Sequence, residues 1–234
     1  MNTCKLLMAS VVIFLTGCNL RVLDPKSETA RDQSFLIQFS FALMMIVFAT
    51  VIILFVWFLS KYRENDQNKD YIPADEKGSP WLEITWTVIP FILLAILAVP
   101  TVSITFEQSA QTESTPTDAV LIEVTGQQFS WTFSYQNGVE TVNDLRLPVD
   151  RPVEFTLRSD DIIHSFWIPK LGGKKDLIPG ETRRMIVTPE ETGTYQGKCA
   201  EFCGREHTEM RFTTKVMEGS EYEKWLEDMK EKIE

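Results

Sequence analysis

Between Asp32 and Lys61 the chain carries no charged residue, and residues 35–59 are almost wholly Phe, Leu, Ile, Val and Met. A helix that is apolar on every face has no watery side to present, and in lipid its backbone amides must bond one another, so such a segment belongs in a bilayer. A second uncharged stretch runs over residues 84–106, with Trp81 and Trp86 near its start, where interfacial anchors belong. Each is long enough to supply the ~20 residues that cross the hydrocarbon. The sequence therefore predicts two transmembrane helices, over residues 34–60 and 84–106. Pro90 and Pro100 fall inside the second, and membrane helices accept proline where neighbouring helices satisfy the freed carbonyls, which hints at a protein partner beside it. A mean hydropathy of −0.07 is thus an average over greasy spans and a polar remainder.

Upstream, Lys5, an apolar run over residues 6–14 and Leu15-Thr16-Gly17-Cys18 follow the plan of an export signal, too short to span a membrane. The ending resembles the bacterial lipoprotein signal, in which residues 1–17 are removed and the cysteine, here Cys18, is acylated. Basic residues barely orient the helices, with four between Lys61 and Pro80 against three between Cys18 and Gln33. Processing of Cys18 outside orients them better. It places the polar linker over residues 61–80 in the cytoplasm and everything after Phe106 on the outer face.

Residues 107–218 read as an all-β exported domain. Short β-rich runs occur at 120–125, 129–135, 153–158, 163–168, 183–187, 193–197 and 211–216, separated by turn residues, and Asn137-Gly138 is a hairpin signal. Strands of that length and spacing predict a Greek-key sandwich or barrel. Residues 109–117 read as a flexible linker after the membrane. The tail, 219–234, reads as an acidic amphipathic helix with Ser220 as N-cap and Tyr222, Trp225, Leu226 and Met229 on one side. There is no internal repeat.

The chemistry concentrates in Cys199-Ala200-Glu201-Phe202-Cys203-Gly204-Arg205-Glu206-His207-Thr208-Glu209-Met210. The other histidine, His164, stands in Ile163-His164-Ser165-Phe166-Trp167 beside a predicted strand. Of four cysteines and two histidines, one cysteine leaves with the signal and Cys18 is the lipidation candidate, so all the other thiols and imidazoles fall in this constellation. Thiolate, imidazole and thioether together favour copper, because soft sulfur suits Cu(I) and imidazole suits both oxidation states. The second cysteine, four residues after the first, permits two thiolates to bridge two metal ions, each capped by one histidine. No general base, nucleophile or open coordination position is evident. Structural zinc matches by ligand count, although the gap from His164 to Cys199 is unlike finger spacing. A Cys199–Cys203 disulfide suits an exported domain but leaves the histidines and Met210 without a role. A thioredoxin-like copper chaperone also has Cys-x-x-x-Cys, but there a proline rather than Gly204 would follow.

With these residues in place the chain resembles cytochrome c oxidase subunit II with its two-copper CuA centre, and the resemblance covers nearly the whole length. It implies two membrane helices followed by a cupredoxin-like domain. It implies that Cys199 and Cys203 bridge two coppers, that His164 and His207 cap them, that Met210 is a weak ligand, and that Glu201 ligates through its backbone carbonyl. The Glu201 side chain would also contact a magnesium ion shared with subunit I. Trp81-Leu82-Glu83-Ile84-Thr85-Trp86-Thr87-Val88-Ile89-Pro90 resembles the start of the family's second helix, which makes Glu83 a candidate for the mouth of a proton path. Leu171-Gly172-Gly173-Lys174-Lys175-Asp176-Leu177-Ile178-Pro179-Gly180 resembles the loop whose aspartate, here Asp176, approaches subunit I near the haem propionates. In Gly126-Gln127-Gln128-Phe129-Ser130-Trp131-Thr132-Phe133-Ser134-Tyr135, Phe129 occupies the position of the tryptophan where electrons usually enter. Phe129 and nearby Trp131 are then the candidates for that step.

From Glu107 onward there are 15 basic and 24 acidic residues, net −9 out of −10 for the whole chain. That balance argues against nucleic acid and suits a basic partner. No Cys-x-x-Cys-His is present, so the donor is expected to be a separate cytochrome c, with haem only in the partner subunit. The expected product is a bacterial cytoplasmic-membrane protein among other oxidase subunits and lipid, passing electrons to subunit I for oxygen reduction and proton pumping. The rival readings are subunit II of a quinol oxidase, which has the same plan without the copper ligands, and a membrane-tethered copper-delivery protein.

Overall fold

A computed structural model of the chain describes residues 20–65, 68–69, 71–72, 75, 77–113 and 115–233. The signal segment and Cys18 lie outside these. Two helices come first, α1 (Glu28–Lys61) and α2 (Pro80–Glu113). Their apolar stretches, Glu28–Lys61 and Pro80–Ser109, have the length and composition to cross a membrane. Both helices outlast the expected 34–60 and 84–106, since hydropathy marks the part that suits lipid while the hydrogen-bonded ladder continues into polar sequence. Pro80 suits the first helical position, where its missing N–H has no partner to lose. The flexible linker expected over 109–117 is corrected: α2 continues to Glu113, and Thr115 is bonded to Glu154 and Arg184.

Among the described residues, 35–107 form one compact unit and 20–34 with 108–233 form the other. In the latter, ten strands among the described residues form two sheets. They are β1 (Val120–Gln127), β2 (Ser130–Tyr135), β3 (Glu140–Val142), β4 (Asp144–Pro148), β5 (Val153–Ser159), β6 (His164–Ile168), β7 (Gly172–Leu177), β8 (Arg183–Val187), β9 (Gly193–Cys199) and β10 (Arg211–Met217). One sheet runs β3-β2-β1-β5-β8 and the other β4-β10-β9-β6-β7. The chain changes sheet repeatedly, and β1 with β5 and β4 with β10 pair in parallel. This is the Greek-key, cupredoxin-like sandwich expected. The Asn137-Gly138 hairpin is present, with Gly138 in the left-handed region and β2 paired antiparallel to β3.

Strands β3, β4 and β7 escaped the sequence reading. All three end their sheets, so they need one partner and little apolar sequence; Gly-Gly-Lys-Lys-Asp-Leu in β7 looks like a turn until β6 pairs with it. The tail helix α3 (Gly219–Lys230) starts one residue before Ser220, after Glu218 with no side-chain cap, which corrects the capping assignment. Its apolar side is as expected: Tyr222 is buried, and Trp225, Leu226 and Met229 pack on the core.

Inward residues of both sheets meet in an aromatic centre of Trp131, Phe133, Phe155, Phe166 and Phe212. Phe166 and Phe212 stack with centroids 5.0 Å apart. Gly197 makes this possible, because a Cβ there would stand 2.0 Å from the Phe212 ring. Residues 20–34 pack on the same sandwich. The Ser27 hydroxyl donates to the Leu171 carbonyl at 2.6 Å, Lys26 N–H to the Lys170 carbonyl at 2.7 Å, and Glu190 N–H to the Lys26 carbonyl at 2.9 Å. Arg31 pairs with Glu190, Lys26 with Glu191, and Lys170 with Asp24.

Candidate metal centre

The site lies where β6 begins and β9 ends. Antiparallel pairing sets Phe166 opposite Cys199, which brings His164, the first residue of β6, beside the last residue of β9. The chain then loops out and returns: Ala200 N–H donates to the Ser165 carbonyl and Cys199 N–H to the Met210 carbonyl, both at 2.9 Å. These bonds close a loop that carries Cys203 and a single 3-10 turn, His207–Glu209, before β10. Hydrogen-bonded loop ends on a sandwich give side chains at the tip fixed positions.

The ligating atoms of His164, Cys199 and Cys203 all lie within 4.8 Å of one another, and all three residues are buried. His164 Nδ1 stands 3.9 Å from Cys199 Sγ. On the other side, Cys203 Sγ lies 3.5 Å from His207 Nδ1 and 3.6 Å from the Met210 sulfur. The Glu201 carbonyl is 3.2 Å from Cys199 Sγ, while the Glu201 side chain is exposed. The fold thus gathers His164, Cys199 and Cys203, sets His207 and Met210 against Cys203 and the Glu201 carbonyl against Cys199, and so assembles a donor set that fits copper.

Burial opposes charge at His164, but its bonds to Cys199 and Asp161 outweigh that and hold the imidazole above its ordinary pKa. Burial would likewise raise the Cys199 thiol, yet His164 and the backbone of Ser165 and Glu201 bring it down. Cys203 moves the other way, raised by burial and by the charge of Cys199. The same contacts therefore favour charge on His164 and Cys199 and oppose it on Cys203. Soft-metal binding requires both sulfurs as thiolates, so it would release protons from the cluster.

Asp161 escaped the sequence reading. Its Oδ1 is 2.7 Å from His164 Nε2, and its carboxylate accepts the backbone N–H of Gln128 at 2.7 Å and of Ile162 at 2.6 Å. This is the carboxylate–histidine arrangement that fixes a ligating imidazole. Gln128 also donates to the Cys203 carbonyl at 2.7 Å, joining both halves of the site. Gly126 leaves room for the ring, since a Cβ there would stand 3.2 Å from His164 Cδ2. An aspartate three residues before a histidine looks like any turn residue, so nothing in the sequence singled it out.

The remaining candidates are spread out. Trp131, an electron-entry candidate, is fully buried, 6.0 Å from the His164 ring, with its indole N–H toward the Met210 carbonyl, and forms a wall of the site. Phe129 is half-buried in the turn before β2 and packs at Gly204. Asp176 is exposed on β7, opposite Ser165. Glu83 is exposed in the first turn of α2. Phe202, between the two cysteines, is 76% exposed and its ring lies 5.8 Å from that of His207.

Two membrane-length helices and a sandwich that buries two thiols and an imidazole define a membrane-anchored domain with a soft-ligand metal centre. A model of the periplasmic domain of cytochrome c oxidase subunit II matches residues 136–217, and a model of the transmembrane domain of that subunit matches residues 16–104. The chain is 42% identical to cytochrome c oxidase subunit 2 of Alkalihalophilus pseudofirmus, over 97% of this chain and 68% of that protein. It is 37% identical to quinol oxidase subunit 2 of Bacillus cereus, over 97% and 79%. The crystal structure of the periplasmic domain of subunit II of cytochrome oxidase (CoxB) of Bradyrhizobium japonicum is 29% identical and covers 51% of this chain and 99% of its own, with a TM-score of 0.48. The chain belongs to the cytochrome c oxidase subunit II family.

Proposed function

We propose that this subunit of a haem-copper oxidase takes electrons from a cytochrome c at a binuclear copper centre and passes them to haem in subunit I. The observation that carries the reading is the cluster of His164, Cys199 and Cys203 within 4.8 Å, with His207 and Met210 on the far side of Cys203. Cys199 and Cys203 would bridge two coppers, His164 and His207 would cap them, and Met210 and the Glu201 carbonyl would be weak ligands. Copper bound there supplies a one-electron carrier. The chain's own contribution is rigidity: Asp161 orients His164, Gln128 ties the Cys203 loop, and Trp131 with the aromatic core excludes water behind it.

The flanking assignments rest on the family resemblance together with location. The exposed Glu201 carboxylate would hold a shared magnesium, Asp176 would face subunit I, Glu83 would stand at the mouth of a proton path, and Phe129 would be the contact nearest the donor. Residues 20–34 dock on the sandwich, and an even number of spans would leave the N-terminal segment and the domain on one side of the membrane. That supports a two-pass topology with the domain on the outer face and agrees with a lipid anchor at Cys18.

Identity to quinol oxidase subunits favours a second reading, in which a lipid-soluble quinol is the donor. The complete sulfur and imidazole set favours cytochrome c. Turnover of the purified oxidase complex separates the two. Reduced cytochrome c should support oxygen uptake, with a rate at limiting donor that falls as salt screens the acidic domain. Turnover with a quinol but not with cytochrome c would overturn the assignment.

A further inference from the structure

In a domain of net charge −9, one concavity is positive. A cavity of about 440 Å³ opens beside the metal centre, lined by Arg21, Trp167, Lys198 and Arg211 and reaching Cys199 and His207. Among the described residues no carboxylate lines it. Arg21 is steered in by Gln196, and Arg211 is oriented by its Nε–H donating to the Thr208 carbonyl at 2.7 Å, with no partner for its terminal nitrogens among the described residues. Lys198 and Lys174 flank Trp167 in register across β9 and β7, with their Nζ atoms 4.7 and 5.6 Å from the indole centroid. Among the described residues, none of these four cations forms an ion pair with a carboxylate. Like charges drawn together without counter-charges repel, and the cost is relieved when an anion fills the space between them.

We infer that this cavity is a binding site for a phosphoryl oxyanion held by Arg21, Lys198 and Arg211. Two guanidinium groups and an ammonium supply forked and point-charge donors suited to a tetrahedral group with several acceptor oxygens, whereas one carboxylate would leave the volume unfilled. Leu20, Val22 and the Trp167 ring give the rim an apolar part able to seat the organic portion of a phosphodiester. The phosphoryl group could come from a phospholipid headgroup or from free phosphate, and the chemistry of the cavity is the same for both. Because the cavity touches Cys199 and His207, a bound anion would stabilise the more positive, oxidised state of the centre and lower its reduction potential. That consequence rests on the copper reading above; the binding site does not.

The test uses the full chain in phosphatidylcholine nanodiscs. Calorimetric titration of the metal-free chain with inorganic phosphate should show saturable one-to-one binding, or native mass spectrometry should show one phosphatidylglycerol retained in preference to phosphatidylcholine. The first result assigns a soluble ligand and the second a lipid headgroup. Arg21→Gln, Lys198→Gln and Arg211→Gln lie on an exposed rim, and each should weaken binding by about tenfold, the loss of one charge-assisted contact. Absence of binding in both arms, or binding indifferent to all three substitutions, would overturn the site. In the copper-loaded chain, binding without a fall in potential would overturn the coupling. Failure to bind copper at all would count against the proposed function and leave the titration of the metal-free chain to decide the site.

Discussion

Asp161 shows how much of the candidate centre depends on a side chain outside the donor set. It accepts from Gln128 and Ile162 N–H groups, holding it in place, and it meets His164 Nε2 so that Nδ1 is left for the metal. Loss of such a partner typically costs about 10–100-fold in metal affinity. Asp161→Asn should therefore give up copper to a chelator faster by a factor in that range while the far-ultraviolet circular dichroism stays unchanged; retention equal to the parent would show that the imidazole is held by packing alone. At this scale the sequence was informative where one residue type has few other uses. Cys199, Cys203, His207 and Met210 stand in one short run, and His164 was the other histidine available. Asp161, Gln128 and Gly126 are types that serve in any turn, so their part became visible only when the loops were placed. Trp131 illustrates the converse: alternation marked it as a strand residue, and the face it occupies is the inner one.

The central strands were legible: β1, β5, β9 and β10 extend their expected spans by one or two residues, and the end strand β8, with Met185, Ile186 and Val187 in its short run, matches its span as well. The end strands β3, β4 and β7 were not, because pairing on one side and charged sequence leave little periodicity to read. Packing between elements makes two predictions. Gly197→Ala puts a methyl 2.0 Å from the Phe212 ring, and the ring cannot retreat without disturbing its stack on Phe166. Overpacking of this kind costs about 1–3 kcal/mol, so the midpoint of chemical denaturation should fall, and an unchanged midpoint would mean that the aromatic centre is loosely packed. Where α2 hands over to β1, Arg184 beside Glu154 holds the carboxyl below its ordinary value of 4.5, against burial and with help from Thr115. A depressed carboxyl stabilises the fold above its unfolded pKa, and that contribution is lost as pH falls through the folded value. Glu154→Gln should be less stable than the parent at neutral pH and converge with it as pH falls through the lowered folded value. A constant difference across that range would exclude the ion pair as the cause.

Across the whole molecule, the opening contrast between uncharged spans and a polar remainder separates the two units. Hydropathy gave the number and position of the helices but not their ends, and could not show that residues 20–34 pack against the sandwich, since those contacts join segments more than 130 residues apart. Charge is divided as well: the domain is acidic overall, yet Lys198 and Arg211, joined by Arg21, line the cavity beside the candidate metal centre. A sandwich with hydrogen-bonded loop ends brings soft ligands to a fixed spacing, which under the proposed function suits electron transfer between partners rather than bond-making. The central claim is that this spacing holds two coppers as one redox unit. It is tested most directly by loading the full-length chain with copper, measuring metal content and recording its electron paramagnetic resonance. The account predicts two coppers per chain sharing a single unpaired electron; one copper per chain, or a spectrum from an electron localised on one nucleus, would contradict it.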